Sequence, residues 1–309
     1  MMSATKAKKP FGSRTTADEV LADIDLNGKN IIVTGANTGI GYEAARALAA
    51  AGANVIFACR SVEKGEEAVA KAKEQHPNAK AEFRQLNLAS FENIKQFCEQ
   101  LDIKTIDVLI CNAGLTMPKY SETEDGLEMT VGVCHFGHFL LTRLLMDKLL
   151  AAKEPRVIMV SSESHRYPAT LNFSNFPLSK LSYSFMVAYG QAKLSNTLFA
   201  NELQRRYSDR GLTACSLHPG TLITTDIARN SRAAFVMKLI SPFTKNTNQG
   251  ASTTAFCAAY EKKESLGGNY YSHCKKSRAT KEANSPGVAQ QLWALSEKVC
   301  KLDETADAV

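Results

Sequence analysis

The residues whose types and spacing best suit chemistry are Tyr189 and Lys193, in the stretch YGQAK. Four positions along an α-helix is about 6 Å of rise and nearly the same face, so the ammonium can approach the phenol. A neighbouring positive charge favours the phenolate, which a phenol needs if it is to exchange protons near neutrality. The pattern recurs from Tyr271 to Lys275, on or just after a predicted strand. Four extended residues span roughly 13 Å, so that pair is expected to lie apart. Helical context therefore selects Tyr189. Ser162 is a third candidate: it ends an apolar run, where a hydroxyl could hydrogen-bond a substrate oxygen while the tyrosine protonates it. A serine considered alone at such a place would be expected only to cap the strand end.

A separate cluster, Cys134, His135 and His138 in TVGVCHFGHF, packs soft-metal ligand types into five residues. Zinc takes four protein ligands, or three and a water. No second Cys or His pair completes such a shell, and no metal is expected.

These side chains must be positioned by the elements around them. Apolar runs at 30–35, 54–60, 81–88, 107–114, 156–162, 212–220 and 269–272 read as buried strands, with helical patterns between them. Repeated β-α-β units with short loops imply a parallel sheet covered by helices on both faces. No linker or internal repeat divides the chain. The expectation is one α/β domain over 28–300, a doubly wound parallel sheet of about seven strands, with a basic tail and lead-in segment at 1–27 and a tail at 301–309.

In such a sheet ligands bind at the carboxyl ends of the strands. The first strand ends in TGANTGIG, where Gly35, Gly39 and Gly41 lead into a helix. Glycines let backbone N–H groups approach a pyrophosphate, whose charge a helix N-terminus favours. The second strand ends at Arg60, where a carboxylate would suit the ribose hydroxyl of NAD and an arginine suits the 2′-phosphate of NADP. NADP is the expected cofactor, with NAD the alternative.

Composition narrows the partners. The chain has 309 residues, 44% hydrophobic and 22% charged, with a net charge of +6 spread along it. Its basic clusters lack interleaved aromatics, so no nucleic-acid platform is expected. Eight cysteines without a CxxC pair, and no signal peptide, suit a reducing compartment. A cytoplasmic location is expected, although the basic start, with no acid before Asp18, weakly resembles a mitochondrial transit peptide. No apolar run is long enough to span a bilayer. FVMKLISPF at 235–243 could be a substrate lid or touch a bilayer surface.

TGANTGIG, CNAG at 111–114, the serine pair 161–162, YGQAK and HPG at 218–220 occur in this order. Together they resemble the motif set of the short-chain dehydrogenase/reductase superfamily. VSSESHRY, LFANELQRR, PFTKNTNQGASTT, GGNYYSHC and the 27-residue step from Ser162 to Tyr189 resemble its retinol-dehydrogenase-like branch. The resemblance implies a Rossmann fold moving a hydride between nicotinamide C4 and a carbonyl or alcohol carbon. It makes Tyr189 the general acid/base, Ser162 the orienting donor, and Lys193 the group that tunes the tyrosine and holds the nicotinamide ribose. It assigns Gly35, Asn37, Gly39, Ile40 and Gly41 to the pyrophosphate, and Arg60 to the 2′-phosphate. Asn87 and Leu88, with Asn112, Ala113 and Gly114, fall on the adenine-ribose side, and Pro219, Gly220 and Thr224 near the nicotinamide amide. Lipophilic substrates such as retinoids or steroids are implied, since 163–182 and 221–245 mix apolar and hydroxyl side chains. A homodimer through helices near 125–152 and 183–208 is a further expectation.

Two positions depart from the family pattern. Asn87 stands where the family usually has an aspartate, which keeps an acceptor for the adenine amino group. Cys134 stands where a catalytic asparagine normally positions a water that links the active-site lysine to solvent, and a thiol holds water poorly. Two functions follow: a working NADP(H)-dependent reductase, or a catalytically impaired cofactor-binding protein that acts as a redox sensor or through partners.

Overall fold

The apolar runs become strands of one sheet; those at its centre are covered on both faces, whereas the edge strand Lys80–Gln85 fully buries only Ala81. In the computed structural model, which describes residues 10–168, 170–220 and 245–302, the strands are β1 (Asn30–Thr34), β2 (Asn54–Cys59), β3 (Lys80–Gln85), β4 (Val108–Cys111), β5 (Arg156–Val160), β6 (Thr213–His218), β7 (Tyr270–Ser272) and β8 (Lys275–Ser277). Their order is β3-β2-β1-β4-β5-β6-β7-β8, and only the β7–β8 pairing is antiparallel. The order reverses between β1 and β4, and the crevice at such a switch point is where α/β sheets bind ligands.

The eighth strand was not expected. His273 and Cys274 form a two-residue turn with φ of 55° and 57°, and the chain folds back so that Ser272 faces Lys275 and Tyr271 faces Lys276. Tyr271 and Lys275 are therefore not held apart by an extended chain, as the sequence suggested. They project to opposite faces of a hairpin, and the Tyr271 hydroxyl donates to Ser265 O at 2.7 Å.

The helices, in chain order, are α1 (Ala17–Leu21), α2 (Gly39–Ala50), α3 (Val62–Gln75), α4 (Phe91–Glu99), α5 (Met129–Val131), α6 (Gly137–Leu144), α7 (Met146–Leu150), α8 (Phe185–Tyr207), α9 (Thr247–Ala255), α10 (Lys263–Leu266) and α11 (Pro286–Cys300). A π-helical turn, Gly132–Phe136, joins α5 to α6. Alternate strand residues enter two cores. Ile31, Val33, Val55, Phe57 and Ile110 pack beneath α1, α2, α3 and α9, whereas Ile32, Ile56, Leu109 and Val157 pack beneath α4, α6, α8 and α11. None of these helices among the described residues is long and apolar enough to cross a membrane.

Both ends of the chain add to this frame. α1 carries a capping box, Thr16 with Glu19, and buries Ala17, Val20 and Leu21, while Asp18 pairs with Arg46 of α2. At the other end α11 lays Trp293 against Phe139, Phe199 and Tyr207, with ring centroids 5.1, 5.8 and 6.3 Å away. The α6 and α8 faces expected to meet a second subunit are thus covered by this chain's own last helix.

Candidate active site

The end of β5 and the first turns of α8 bring the chemistry-bearing side chains together. Lys193 is 3% exposed; its ammonium donates to Val160 O at 2.9 Å and stands 5.5 Å from the centre of the Tyr189 ring. Ser161 Oγ donates to Lys193 O at 2.7 Å, which fixes the helix to the strand end. Gly190 explains how the next loop fits: a Cβ there would collide with the Tyr167 carbonyl, so glycine lets the segment after Ser162 pack directly on α8. The Ser162 hydroxyl accepts from Ser164 N and donates to Ser164 Oγ, both at 3.2 Å, which is the capping role expected of a serine there. It is only partly buried, and the Tyr189 hydroxyl has no partner among the described residues.

Beside this trio lies the glycine loop between β1 and α2. Gly35 and Gly39 have φ of +65° and +61°, and a Cβ on Gly41 would collide with Gly35 O and the Asn112 amide. Only residues without side chains leave the backbone so close to the β4 end, and α2 begins with no acidic residue in its first turn. That cradle fits a pyrophosphate. Asn37 and Ile40 are partly exposed on the loop. Asn112 does its work inward, donating through Nδ2 to Thr34 O at 2.8 Å, and Ala113 N donates to Thr34 Oγ1 at 2.9 Å.

Arg60 follows β2 and is exposed; its carbonyl accepts from Gln85, and its guanidinium has no partner among the described residues. It is available to a phosphate. Asn87 is engaged locally, its Oδ1 accepting from Ala89 N and its amide donating to Glu124, while Leu88 is buried with its carbonyl against Gly137. Pro219 and Gly220 follow β6, and Gly220 has φ of +129° with Lys245 packed against it. Thr224 and the 235–243 segment lie outside the described residues.

Cys134 occupies the π-helical turn and is fully buried. Its thiol donates to Leu115 O at 3.7 Å, and burial pushes its pKa up, against the opposing influence of Lys193. A Cβ placed on the exposed Gly114 would lie 3.3 Å from Lys193 Nζ and 3.5 Å from Cys134 Sγ, so the three residues adjoin. The two histidines point to different partners: His135 Nε2 meets Ser296 Oγ at 2.9 Å, and His138 Nε2 meets Thr34 Oγ1 at 2.8 Å. Burial lowers their pKa values to about 3 and about 4, so both imidazoles are neutral.

The profile of the family described as short chain dehydrogenase matches residues 29–235, which hold the loop, the β4 end and the Ser162, Tyr189 and Lys193 trio. The chain belongs to the short-chain dehydrogenase family. Among curated relatives of this dehydrogenase, the WW domain-containing oxidoreductase of Homo sapiens is 42% identical over 301 residues, covering 94% of this chain and 73% of that one. Retinol dehydrogenase 12 of Mus musculus is 40% identical over 277 residues, or 89% and 87% of the two chains. Among solved structures, an uncharacterized protein of Mycobacterium paratuberculosis superposes with a TM-score of 0.72 at 32% identity, over 91% of this chain and 97% of that one. A short chain dehydrogenase of Escherichia coli CFT073 complexed with NADPH shares the fold, with a TM-score of 0.65 at 22% identity over 80% and 97% of the chains.

Sequence reasoning passed over several residues of this dehydrogenase site. Thr34 Oγ1 is the hub between β1 and β4, and His165 is fully buried, its Nδ1 bonded to Ser162 O at 2.7 Å and its Nε2 accepting from Thr280 N at 3.3 Å. Asn196, one turn beyond Lys193, is also fully buried. The last of these was visible as a polar residue on the inward face of a helix already chosen for its chemistry.

Proposed function

We propose that this dehydrogenase is an NADP(H)-dependent oxidoreductase that interconverts a lipophilic carbonyl compound and its alcohol. The observation that carries the reading is the placement of the Lys193 ammonium beside the Tyr189 ring, with Ser162 on the adjoining loop, at the sheet edge that also holds the glycine cradle. A nicotinamide dinucleotide bound along that cradle supplies or accepts the hydride. In the reducing direction Tyr189 gives its proton to the oxygen of the substrate as the carbon is reduced, and Ser162 turns its hydroxyl from Ser164 to that oxygen. Lys193 balances the charge left on the phenol, which then regains its proton from solvent. The Arg60 guanidinium, without a partner among the described residues, supports NADP over NAD, because a bidentate guanidinium–phosphate pair has no counterpart in the unphosphorylated cofactor.

The lipophilic class is supported by exposed apolar side chains on the segment between Ser162 and Tyr189. Tyr167, Phe185 and Met186 expose about half of their surface and Leu181 all of it. Several relatives bear the name retinol dehydrogenase. Residues 28–300 are read as the dehydrogenase domain, and these exposed side chains could rest on a membrane surface that holds such substrates. A second reading, a cofactor-binding protein with little turnover, is favoured by Cys134 alone, whose buried thiol is a poor support for a water.

The test is to add NADPH or NADH to the purified chain, follow melting, and then follow NADPH consumption with retinal and with hydrophobic aldehydes and ketones. Greater stabilisation by NADPH and turnover that Tyr189→Phe removes are expected. Stabilisation without turnover across the panel would select the second reading, and no stabilisation would overturn both.

A further inference from the structure

The hydrogen-bond directions between Thr34 and Cys134 follow from the group that can only accept. His138 Nδ1 lies 3.0 Å from Cys134 O, a carbonyl, so the neutral ring holds its hydrogen on Nδ1 and leaves Nε2 as an acceptor. Across 2.8 Å Nε2 then takes the hydrogen of Thr34 Oγ1, the Ile110 carbonyl being farther at 3.3 Å. Thr34 Oγ1 in turn receives Ala113 N at 2.9 Å and, also at 2.9 Å, Asn112 N, which is shared with Ile110 O at 3.0 Å. From the opposite side the Asn196 amide, turned so that its nitrogen rather than its oxygen faces two carbonyls, donates to the same oxygen at 2.8 Å and to Ala192 O at 3.2 Å. The Cys134 carbonyl is thus held between a histidine tied to the β1 and β4 ends and an asparagine one turn beyond Lys193.

We infer that His138 is a positioning residue of this dehydrogenase: it registers the π-helical turn at Cys134, and through Asn196 the Lys193 turn of α8, against the strand ends that floor the cofactor cleft. The inference deepens the proposed oxidoreductase reading and rests on it for its catalytic consequence. His138 touches neither cleft nor substrate, being fully buried. Its leverage comes from the contiguity of Cys134, Gly114 and Lys193, where a small displacement of the π turn moves the groups beside the ammonium. Misplacement of a positioned group by about 1 Å costs up to roughly a hundredfold in rate.

His138→Leu keeps the bulk and loses both bonds, whereas His138→Gln can donate to Cys134 O and accept from Thr34. With NADPH and a hydrophobic aldehyde, His138→Leu is expected to lower kcat by about tenfold or more. KM for the aldehyde should stay within about twofold, and His138→Gln should recover most of the loss. A folded His138→Leu protein with wild-type kcat would overturn the inference. A second measurement needs no turnover: nitrogen NMR of histidine-labelled wild-type protein, with the signal assigned through its loss in His138→Gln, should show a neutral ring protonated at Nδ1 near pH 7. A ring protonated at Nε2, or at both nitrogens, would overturn the assignment whether or not His138→Leu folds. Absence of wild-type turnover would count against the oxidoreductase reading, and the ring's protonation would still decide the geometry.

Discussion

Lys193 approaches the Tyr189 ring to 5.5 Å while its ammonium is anchored on Val160 O, so the cation is held by β5 and not by the phenol. The two residues can therefore be separated by mutation. Tyr189→Phe removes the exchangeable proton and leaves the anchor, and it is expected to lower kcat by about a hundredfold to ten-thousandfold while NADPH still raises the melting temperature. Lys193→Met keeps the phenol but removes the anchored cation, and should reduce both turnover and the NADPH-induced shift. Steady-state kinetics beside melting curves check the pair of variants. Equal loss of cofactor stabilisation in both would show that Tyr189 serves binding and not proton transfer.

Arg60 offers a sharper check on the cofactor. Because its guanidinium has no partner among the described residues, replacing it should cost little stability and act on the ligand alone. Arg60→Asp is expected to weaken NADPH binding by roughly tenfold to a hundredfold, the worth of charged hydrogen bonds of about 1.5–3 kcal/mol. Binding of NADH should improve, since a carboxylate at this strand end suits the ribose hydroxyl. Titration of protein fluorescence with each cofactor measures both arms, and an unchanged preference would place the phosphate elsewhere.

Cys134→Asn tests what the thiol costs. The sulfur donates only weakly to Leu115 O at 3.7 Å, and an asparagine amide in that place can make a stronger bond to the same carbonyl. Turnover is expected to rise several-fold, read as kcat at saturating NADPH. A lower rate with intact folding would mean that the buried space beside Gly114 is matched to sulfur and that the proton route avoids this side chain.

The features legible in the sequence were those with a local period or a local motif. Tyr189 and Lys193 were found because four helical positions return to one face, and the central strands were found because a doubly covered sheet writes apolar runs. β8 was missed because KKS is short, polar and exposed, with no alternation to read. The Thr34, His138 and Asn196 set was missed for a different reason. Thr34 and His138 are 104 positions apart, and their bond exists only because the fold brings α6 to the end of β1. Apolar faces on α6 and α8 likewise say nothing of which helix covers them.

That covering helix makes a stability prediction with its own probe. Trp293 is the single tryptophan of the chain, 2% exposed, with the Arg206 guanidinium 4.3 Å from its ring centre. Its fluorescence should follow unfolding in urea, and Trp293→Ala, followed by circular dichroism, should lose about 3–5 kcal/mol. The wild-type chain should sediment as a monomer at micromolar concentration, because the α6 and α8 faces are already occupied. A dimer that survives with α11 in place would require another surface.

Acid sensitivity follows from the buried imidazoles. His135 and His138 are fully buried, and burial, the largest influence on each, depresses their pKa values to about 3 and about 4, against 6.5 for an exposed ring. A depressed imidazole means that the unfolded chain takes up the proton first, so stability is full above about pH 6.5 and falls as pH drops toward the folded value. At pH 5 each ring should cost about 2 kcal/mol relative to pH 7.5. His218, lowered to about 4 by burial, and His165 and His273, also lowered by burial, add losses of the same sign in this window, whereas Asp18, held below the ordinary carboxylate range by Arg46 in spite of burial, changes charge only at lower pH. Urea midpoints at pH 7.5 and 5.0 measure the loss. For His138→Gln the difference should shrink by about one ring's share, and an unchanged difference would show that His138 is not the neutral, buried group on which the Thr34 and Cys134 bonds depend.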